Sequence, residues 1–437
     1  MRTFKKGDTI TLADGGRAEI VRKIGEGGQG IVYEVTIEEN RYALKWYTCR
    51  FKKQDDFWEN LRANIEMGSP DGKFLWPLRL TEQEEDSFGY IMDLRPPEFS
   101  DFSDILNNRV KFSSTEMVIK SALNIVNGFR ALHRKGLSYQ DLNDGNFFIN
   151  EKTGDVLICD NDNVTPGDKK NSGNVGGKPG YMAPEVFRGD AHPNSLTDFH
   201  SLAVILFKLF LRHDPLWGAA HEKTPCITEE REMELYGTRP VFIFDPNDDS
   251  NRPINGIHPN PIKLWPRYPA FFQDAFIQSF VRGLKDPNAR LPDNEWQKIL
   301  IRLRDEAISC PFCRRDWSIN KLSENTAISC ACGRSYSPPL RLLLDKHAVP
   351  LFPGKKLYAC HTTEGSDDYN TVTGEVIMNK NNPALWGIKN LSRTSWEMIT
   401  AGGGRKPIDS GSVVPIGTGV SVAFEEERVG AMSQAGA

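Results

Sequence analysis

The chain reads as an α+β protein with an all-β module at its end and a small cysteine-clasped segment between them. Three observations predict this. Apolar and β-branched runs punctuated by glycine fill Ile20–Leu94, whereas stretches of helical period dominate Thr115–Leu211. Four cysteines then fall in two tight pairs between Cys310 and Cys332. From Leu340 onward, short apolar runs recur with almost no helical period, which suggests a sandwich.

The chain has 437 residues, enough for two or three domains. A hydrophobic content of 39% and a charged content of 26% are those of an ordinary globular protein. The net charge of −4 offers no basic field for nucleic acid. Leu202–Leu211, the most apolar stretch, is too short to span a bilayer, and the start MRTFKKGDTITL lacks a signal-peptide core. No membrane association is expected, and a reducing cytoplasm suits the cysteine pattern.

Ile20–Val35 places Gly25, Gly27, Gly28 and Gly30 between two strand-like runs. Glycines there let backbone amides approach phosphate oxygens. Tyr42-Ala43-Leu44-Lys45 is a strand ending in lysine. Asp55–Met67 has helical character, with Trp58, Leu61 and Ile65 on one face, and Phe88–Leu94 reads as a further strand. Thr115–Lys135 is a long amphipathic helix, with Ser113 or Ser114 as its cap.

The stretch Gly136–Asp162 follows. It holds a loop with Asp141 and Asn146, two short strands (Phe147–Ile149 and Val156–Ile158) and then Asp160. The turn Lys152-Thr153-Gly154-Asp155 joins the strands. A carboxylate at Asp141 can accept a hydroxyl proton, and Asn146 and Asp160 can share hard cations through oxygen ligands.

These marks together resemble the protein kinases. G-x-G-x-x-G-x-V runs from Gly25 to Val32, YQDLNDGN stands where HRDLKPEN is usual, and DND at Asp160–Asp162 stands for DFG. Ala183-Pro184-Glu185 closes the segment after it, Asp198 matches the aspartate that ties the catalytic-loop backbone, and Arg290 matches the arginine that pairs with Glu185. The resemblance implies a two-lobed protein-kinase-like domain over 1–306, with a small lobe 1–94, a large lobe 95–306 and an insertion at about 219–266. It implies ATP and Mg2+ (or Mn2+). The four glycines and Lys45 would meet the phosphates. Val32, Ala43 and Met92 would surround the adenine, with backbone groups near Asp93 and Leu94 reading its edge. Asn146 and Asp160 would hold the metal, and Asp141 would orient the acceptor hydroxyl.

The resemblance also requires a glutamate on the helix to pair with Lys45; Glu59 is chosen over Glu66. Several usual residues are replaced: histidine by Tyr139, arginine by Gln140, the lysine after the catalytic aspartate by Asn143, and the last two DFG residues by Asn161 and Asp162. In GGKPGYMAPE, Lys178 stands where a threonine is usual, so it is expected to return the missing ammonium to the active site opposite Asn143. Thr165 and Ser172 are the hydroxyls expected to be accessible in this segment. The reading is an active Ser/Thr protein kinase. The rival is a pseudokinase scaffold whose C-terminal domains dock a partner.

Cys310, Cys313, Cys330 and Cys332 form a C-x2-C and C-x-C pair, read as a structural zinc ribbon over 307–338. Four protein ligands leave no open position for catalysis. Residues 339–429 resemble a forkhead-associated domain through GIKNLS at Gly387–Ser392, Trp396 and VPIGTG at Val414–Gly419, without a placeable phosphate-binding arginine. Residues 430–437 read as a disordered tail. The whole arrangement resembles the kinase of tellurium-resistance-type bacterial stress systems. That resemblance implies a protein substrate of von Willebrand A type and a cognate metal-dependent phosphatase.

Overall fold

The computed structural model describes residues 2–49, 54–84, 87–167, 177–223, 226–310, 312–313, 316–317, 328–330, 332–336, 339–345 and 347–433. It comprises two compact units, one of 1–113, 117–264 and 274–297, the other of 114–116, 265–273 and 298–437.

The first unit opens with an antiparallel sheet of six strands: β1 (Thr9–Thr11), β2 (Arg17–Glu26), β3 (Gly30–Ile37), β4 (Asn40–Tyr47), β5 (Arg79–Leu80) and β6 (Gly89–Asp93), in the order β1-β2-β3-β4-β6-β5. Two register shifts in the β2–β3 ladder curl it. The two-residue period of β4 divides its side chains. Leu44 and Trp46 join Tyr33 and Val35 in one core, while Ala43 and Tyr47 join Tyr90, Met92 and helix α1 (Gln54–Met67) in another. Lys45 shares that second face. In α1, Phe57, Leu61 and Asn64 are buried at four- and three-residue spacing, and Asp55 and Asp56 sit favourably in the first turn.

The rest of this unit is mainly helical. Strand β7 (Ser100–Asp101) and helix α2 (Phe102–Leu106) precede α3 (Thr115–Arg134). Strands β8 (Leu137–Ser138), β9 (Phe147–Ile149), β10 (Val156–Ile158) and β11 (Thr165–Pro166) then frame the site loops, pairing as β10-β9-β7 and β11-β8. Gly128 in α3 has a packing reason, since a Cβ there would lie 2.9 Å from Ile158 Cδ1. After the short helix α4 (Pro184–Phe187) comes α5 (Ser195–Leu211), almost wholly buried. A capping box starts it: Asn194 accepts from the amides of Leu196 and Thr197, and Thr197 Oγ1 accepts from the Asn194 amide. The described residues of 219–264 include buried, hydrogen-bonded structure. Asn251 ties them by donating to the carbonyls of Leu216 and Val241 and accepting from the Ala220 amide, and Phe242 and Ile243 are fully buried.

The second unit holds two antiparallel sheets. The six-stranded one contains Arg341–Leu344, His347–Pro350, Trp396–Ile399, Arg405–Ile408, Ser421–Ala423 and Val429–Ser433, and the four-stranded one contains Lys356–Tyr358, Val372–Met378, Trp386–Asn390 and Val413–Pro415. Leu342, Trp396 and Val422 from the first and Leu357, Val376, Ile388 and Val414 from the second share one core. Cys360 lies in a helical turn, Ala359–Thr362. One boundary needs correction. Residues 430–433, expected to be disordered, lie in the strand Val429–Ser433, paired to both Arg341–Leu344 and Ser421–Ala423. Met432 is buried in the core, and Gly430 lets Leu342 approach so closely that a Cβ would meet its Cδ1 at 2.7 Å. The last residues of that tail, 434–437, lie outside the described residues.

Candidate active site and cysteine cluster

The β3–β4 ladder sets Lys45 opposite Val32, and the β4–β6 ladder sets it opposite Tyr90. Its ammonium is buried, with Nζ 3.2 Å from Asp160 Oδ1 and 2.7 Å from Asp162 Oδ2. Burial alone would weaken this ammonium. Asp160 and Asp162 outweigh burial and hold the Lys45 pKa well above the ordinary lysine value. Asp160 adopts the left-handed region at φ 54°, a costly conformation for a residue with a side chain. Its neighbour Asn161 anchors the turn by donating to the carbonyls of Leu75 and Ile158, at 2.9 and 3.0 Å. A buried amide thus fastens this turn, at the position where DFG has a phenylalanine.

Helix α1 does not send a carboxylate to Lys45. Glu59 is exposed and paired with Arg62 at 2.7 Å, and Glu66 meets the same arginine at 3.2 Å. On this side of α1 the polar residues are Asn60 and Asn64, which both donate to the Val164 carbonyl, at 3.0 and 2.9 Å. The expectation for Glu59 is therefore corrected: its place on the helix surface leaves it free to satisfy itself locally, three residues from an arginine.

Asp198 accepts from the amides of Tyr139 and Gln140, at 2.7 and 3.1 Å, and so fixes the loop that carries Asp141. His133 lies between Asp198 and Asp293, at 3.1 and 2.8 Å. Burial opposes its charge, but the two carboxylates raise its pKa to about 9. Gln140 occupies the left-handed region at φ 72° and donates to Thr165 Oγ1 at 2.5 Å. Thr165 is thus buried, contrary to its expected accessibility, while Ser172 lies outside the described residues. Tyr139 donates its hydroxyl to the Cys159 carbonyl, so a phenol fills the usual histidine place and ties the two loops together. Asn143 and Asn146 cap one another around a short turn: the Asn143 amide donates to Asn146 Oδ1 at 2.7 Å, and Asn143 Oδ1 accepts from the Gly145 amide. Burial first, then the negative charges of Asp162 and Asp160, raise the Asp141 pKa to about 6, against the opposing pull of Asn143 and Lys45.

Three of the four glycines separate by role. A Cβ on Gly30 would lie 2.3 Å from the Trp46 carbonyl oxygen, so that glycine serves strand contact. Gly27 and Gly28 have nothing within 4 Å of a Cβ and leave their surroundings open. Val32, Ala43, Met92 and Leu94 join one apolar cluster together with Phe148 and Leu157. Sequence reasoning missed the last two as site residues, although their alternation in β9 and β10 places them on the same side. Asp93 is exposed at the end of β6.

Beyond Asp141, a cavity of about 290 Å³ is lined by Asp141, Lys178, Tyr181, Met182, Thr197 and Ser201, among others. Lys178 lines it but is paired with Asp144, at 2.6 Å, not seated beside Asn143 as expected. Asp144, one residue further along the same loop, is the better partner because it carries a full charge. Burial disfavours that carboxylate, yet Lys178 pulls its pKa below the ordinary value. Glu185 and Arg290 close this region through two hydrogen bonds of 2.7 Å.

The family model of the protein kinase domain matches residues 18–277. The chain belongs to the protein kinase domain family. Beta-adrenergic receptor kinase 1 of Homo sapiens is 30% identical over 200 residues, 44% of this chain and 28% of that protein. The probable serine/threonine-protein kinase CCRP1 of Zea mays is 26% identical over 205 residues, 44% of this chain and 31% of that protein. The chain therefore spans less than a third of the length of these relatives. The Mycobacterium tuberculosis PknI kinase domain aligns at a TM-score of 0.45 and 16% identity, over 69% of this chain and 99% of that one.

A protein kinase domain implies ATP and Mg2+, and a protein substrate. The residues present suit the first two. The open space at Gly27 and Gly28 suits phosphates, and the Asp160 side chain is 45% exposed beside a buried cation. Asn146 Oδ1 spends one lone pair on the Asn143 amide and retains a second. Among the described residues, no helix is long and apolar enough to cross a membrane.

In the second unit, two hairpins (Ile308–Ser309 with Asp316–Trp317, and Ile328–Ser329 with Ser335–Tyr336) carry the cysteines. The sulfurs of Cys310, Cys313, Cys330 and Cys332 all lie within 4.8 Å of one another. Cys310 and Cys332 are 3.8 Å apart, and Cys313 and Cys330 are 3.3 Å apart. Tetrahedral Zn–S bonds of about 2.3 Å put sulfurs about 3.8 Å apart. Zinc therefore fits this donor set. Asp305, His347 and His361 also converge, but as a hydrogen-bonded group. The Tyr358 amide donates to His361 Nδ1, which leaves Nε2–H to donate to Asp305 at 3.1 Å.

Proposed function

We propose that this protein is an ATP- and Mg2+-dependent Ser/Thr protein kinase that phosphorylates a protein partner in a cytoplasmic bacterial stress-signalling system. The observation that carries the reading is the ion pair between Lys45 and Asp160, which joins the strand of one lobe to the loop of the other at 3.2 Å. Phosphoryl transfer depends on positioning and charge neutralisation more than on covalent chemistry. ATP supplies the phosphoryl group, and the metal ion neutralises its charge.

This chain's residues divide the remaining work. The turn from Gly25 to Gly28, open around Gly27 and Gly28, would make room for the phosphates, and Lys45 would give them a fixed cation. Val32, Ala43 and Met92, with Leu94, Phe148 and Leu157, form the apolar slot for the base, while backbone at Asp93 and Leu94 reads its edge. Asn146 and Asp160 would hold the metal. Asp141, with its pKa at about 6, is ionised at neutral pH and orients the acceptor hydroxyl. Lys178, at the wall of the acceptor-side cavity, adds a second cation there. The buried anchoring of Asn161 and the pairing of Asp162 with Lys45 support the enzyme over the pseudokinase scaffold, because both keep the altered loop in place.

The four cysteines support a structural zinc ribbon. The paired sheets at 339–433 support a forkhead-associated-like sandwich that docks partners. Resemblance supports a von Willebrand A-type substrate and a cognate metal-dependent phosphatase. The test is transfer of radiolabelled phosphate from ATP to such a partner. Wild-type protein should label it in the presence of Mg2+, and Asp141→Ala and Asp160→Ala should not. Equal labelling by wild type and Asp141→Ala would refute the reading.

A further inference from the structure

Asp162 stands where related loops carry a glycine, and it is buried with its side chain 1% exposed. Its Oδ2 accepts from Lys45 Nζ at 2.7 Å, a shorter contact than Lys45 makes to Asp160, and from the Tyr47 hydroxyl at 2.5 Å. Lys45 and Tyr47 are alternate residues of β4, so both reach the same carboxylate from one face of the strand. Its Oδ1 is buried without a hydrogen-bond partner among the described residues. A buried charge so placed is costly unless a counter-ion meets it. On the other side, α1 has no carboxylate at Lys45, and its polar residues Asn60 and Asn64 hold the Val164 carbonyl.

We infer that Asp162 is the positioning residue for Lys45, replacing the helix glutamate with a carboxylate carried by the metal loop itself. The inference deepens the kinase reading and rests on it. The lysine and the metal-binding aspartate are then set by one three-residue segment. Helix α1 has a different task, the docking of the chain just beyond that segment. Lys45 is then positioned without a carboxylate from α1.

Two measurements on the full chain test this. The first is a thermal-unfolding cycle of Lys45→Met, Asp162→Asn and the double variant, without nucleotide or metal. Each single change should lower the midpoint, and the double variant should lose clearly less than their sum, because partners in contact are not additive. Additive losses would overturn the pairing. The second is phosphate transfer. Partners that orient a metal ligand typically contribute about 10–100-fold, and the same scale is expected for a partner that orients Lys45. Asp162→Asn should therefore cut kcat by that factor, with little further loss when added to Lys45→Met. A loss in Glu59→Gln as large as that in Lys45→Met would also overturn the inference. A wild-type chain that transfers no phosphate would refute the kinase reading instead, and the unfolding cycle would still decide the pairing.

Discussion

Arg290 grips both oxygens of Glu185, from Nη1 and Nη2, each at 2.7 Å. The arginine side chain is 1% exposed and the glutamate 14%, and Arg290 further donates to the carbonyls of Gly283 and Leu196. Removing one partner strands a buried charge, which costs about 3–5 kcal/mol. Glu185→Ala should therefore lose that much in urea unfolding. Glu185→Gln should lose less, since it keeps one acceptor oxygen.

Activity should have an acid limb near pH 6. Asp141 titrates at about 6, so its carboxylate form dominates above that value and is lost below it. The base form is the working form, and kcat/KM, whose pH dependence reports the free enzyme, should fall as pH drops through about 6. An acid limb at the ordinary carboxylate range would contradict the burial and the charges of Asp160 and Asp162 that set this value.

Lys178→Thr should reduce turnover. A single preorganised donor to a developing negative charge is typically worth about a hundredfold to a thousandfold in rate. Because Lys178 is held by Asp144 here, the loss should sit at or below the lower end of that range. Adding Asn143→Lys should restore part of it. Steady-state kinetics that cannot tell Lys178→Thr from wild type would count against a role in transfer.

Metal analysis of purified protein should return one zinc per chain. Closed thiolate sites in small peptides contribute on the order of 10–16 kcal/mol, so a strong chelator should abolish order in the hairpins around Cys310 and Cys330. Cys313→Ser should lower zinc content without changing the fold of the first unit, which hydrogen exchange can follow.

The placement of much of the candidate site was legible because its residues are tied to backbone motifs. Gly25–Gly30, Lys45, Asp141, Asn146 and Asp160 sit on strands or tight loops, where spacing along the chain dictates placement in space. Partner choice was not legible in the same way. Glu59 looked suitable by its distance along the chain, but its direction around the helix turns it to solvent and to Arg62. Lys178 likewise had a chemical reason to face Asn143, yet a charged neighbour, Asp144, outcompetes an amide. Residues 430–433 looked like a polar tail because small residues hide a two-residue period. Only pairing with Arg341–Leu344 shows that Met432 is core.

The charge on His133 turns the loop of Asp141 into a structure fastened by a proton. The imidazolium bridges Asp198, which holds the loop amides, to Asp293. Its folded pKa of about 9 lies above the ordinary histidine value of 6.5. The stabilisation is therefore complete below about pH 6.5 and drains away as pH rises through about 9. The acid side of the activity range should thus be bounded by the acceptor-orienting carboxylate and the alkaline side by a histidine buried between two aspartates. Slow loss of activity above about pH 9, absent in a variant whose loop is fastened without that proton, would be the mark of this second limit.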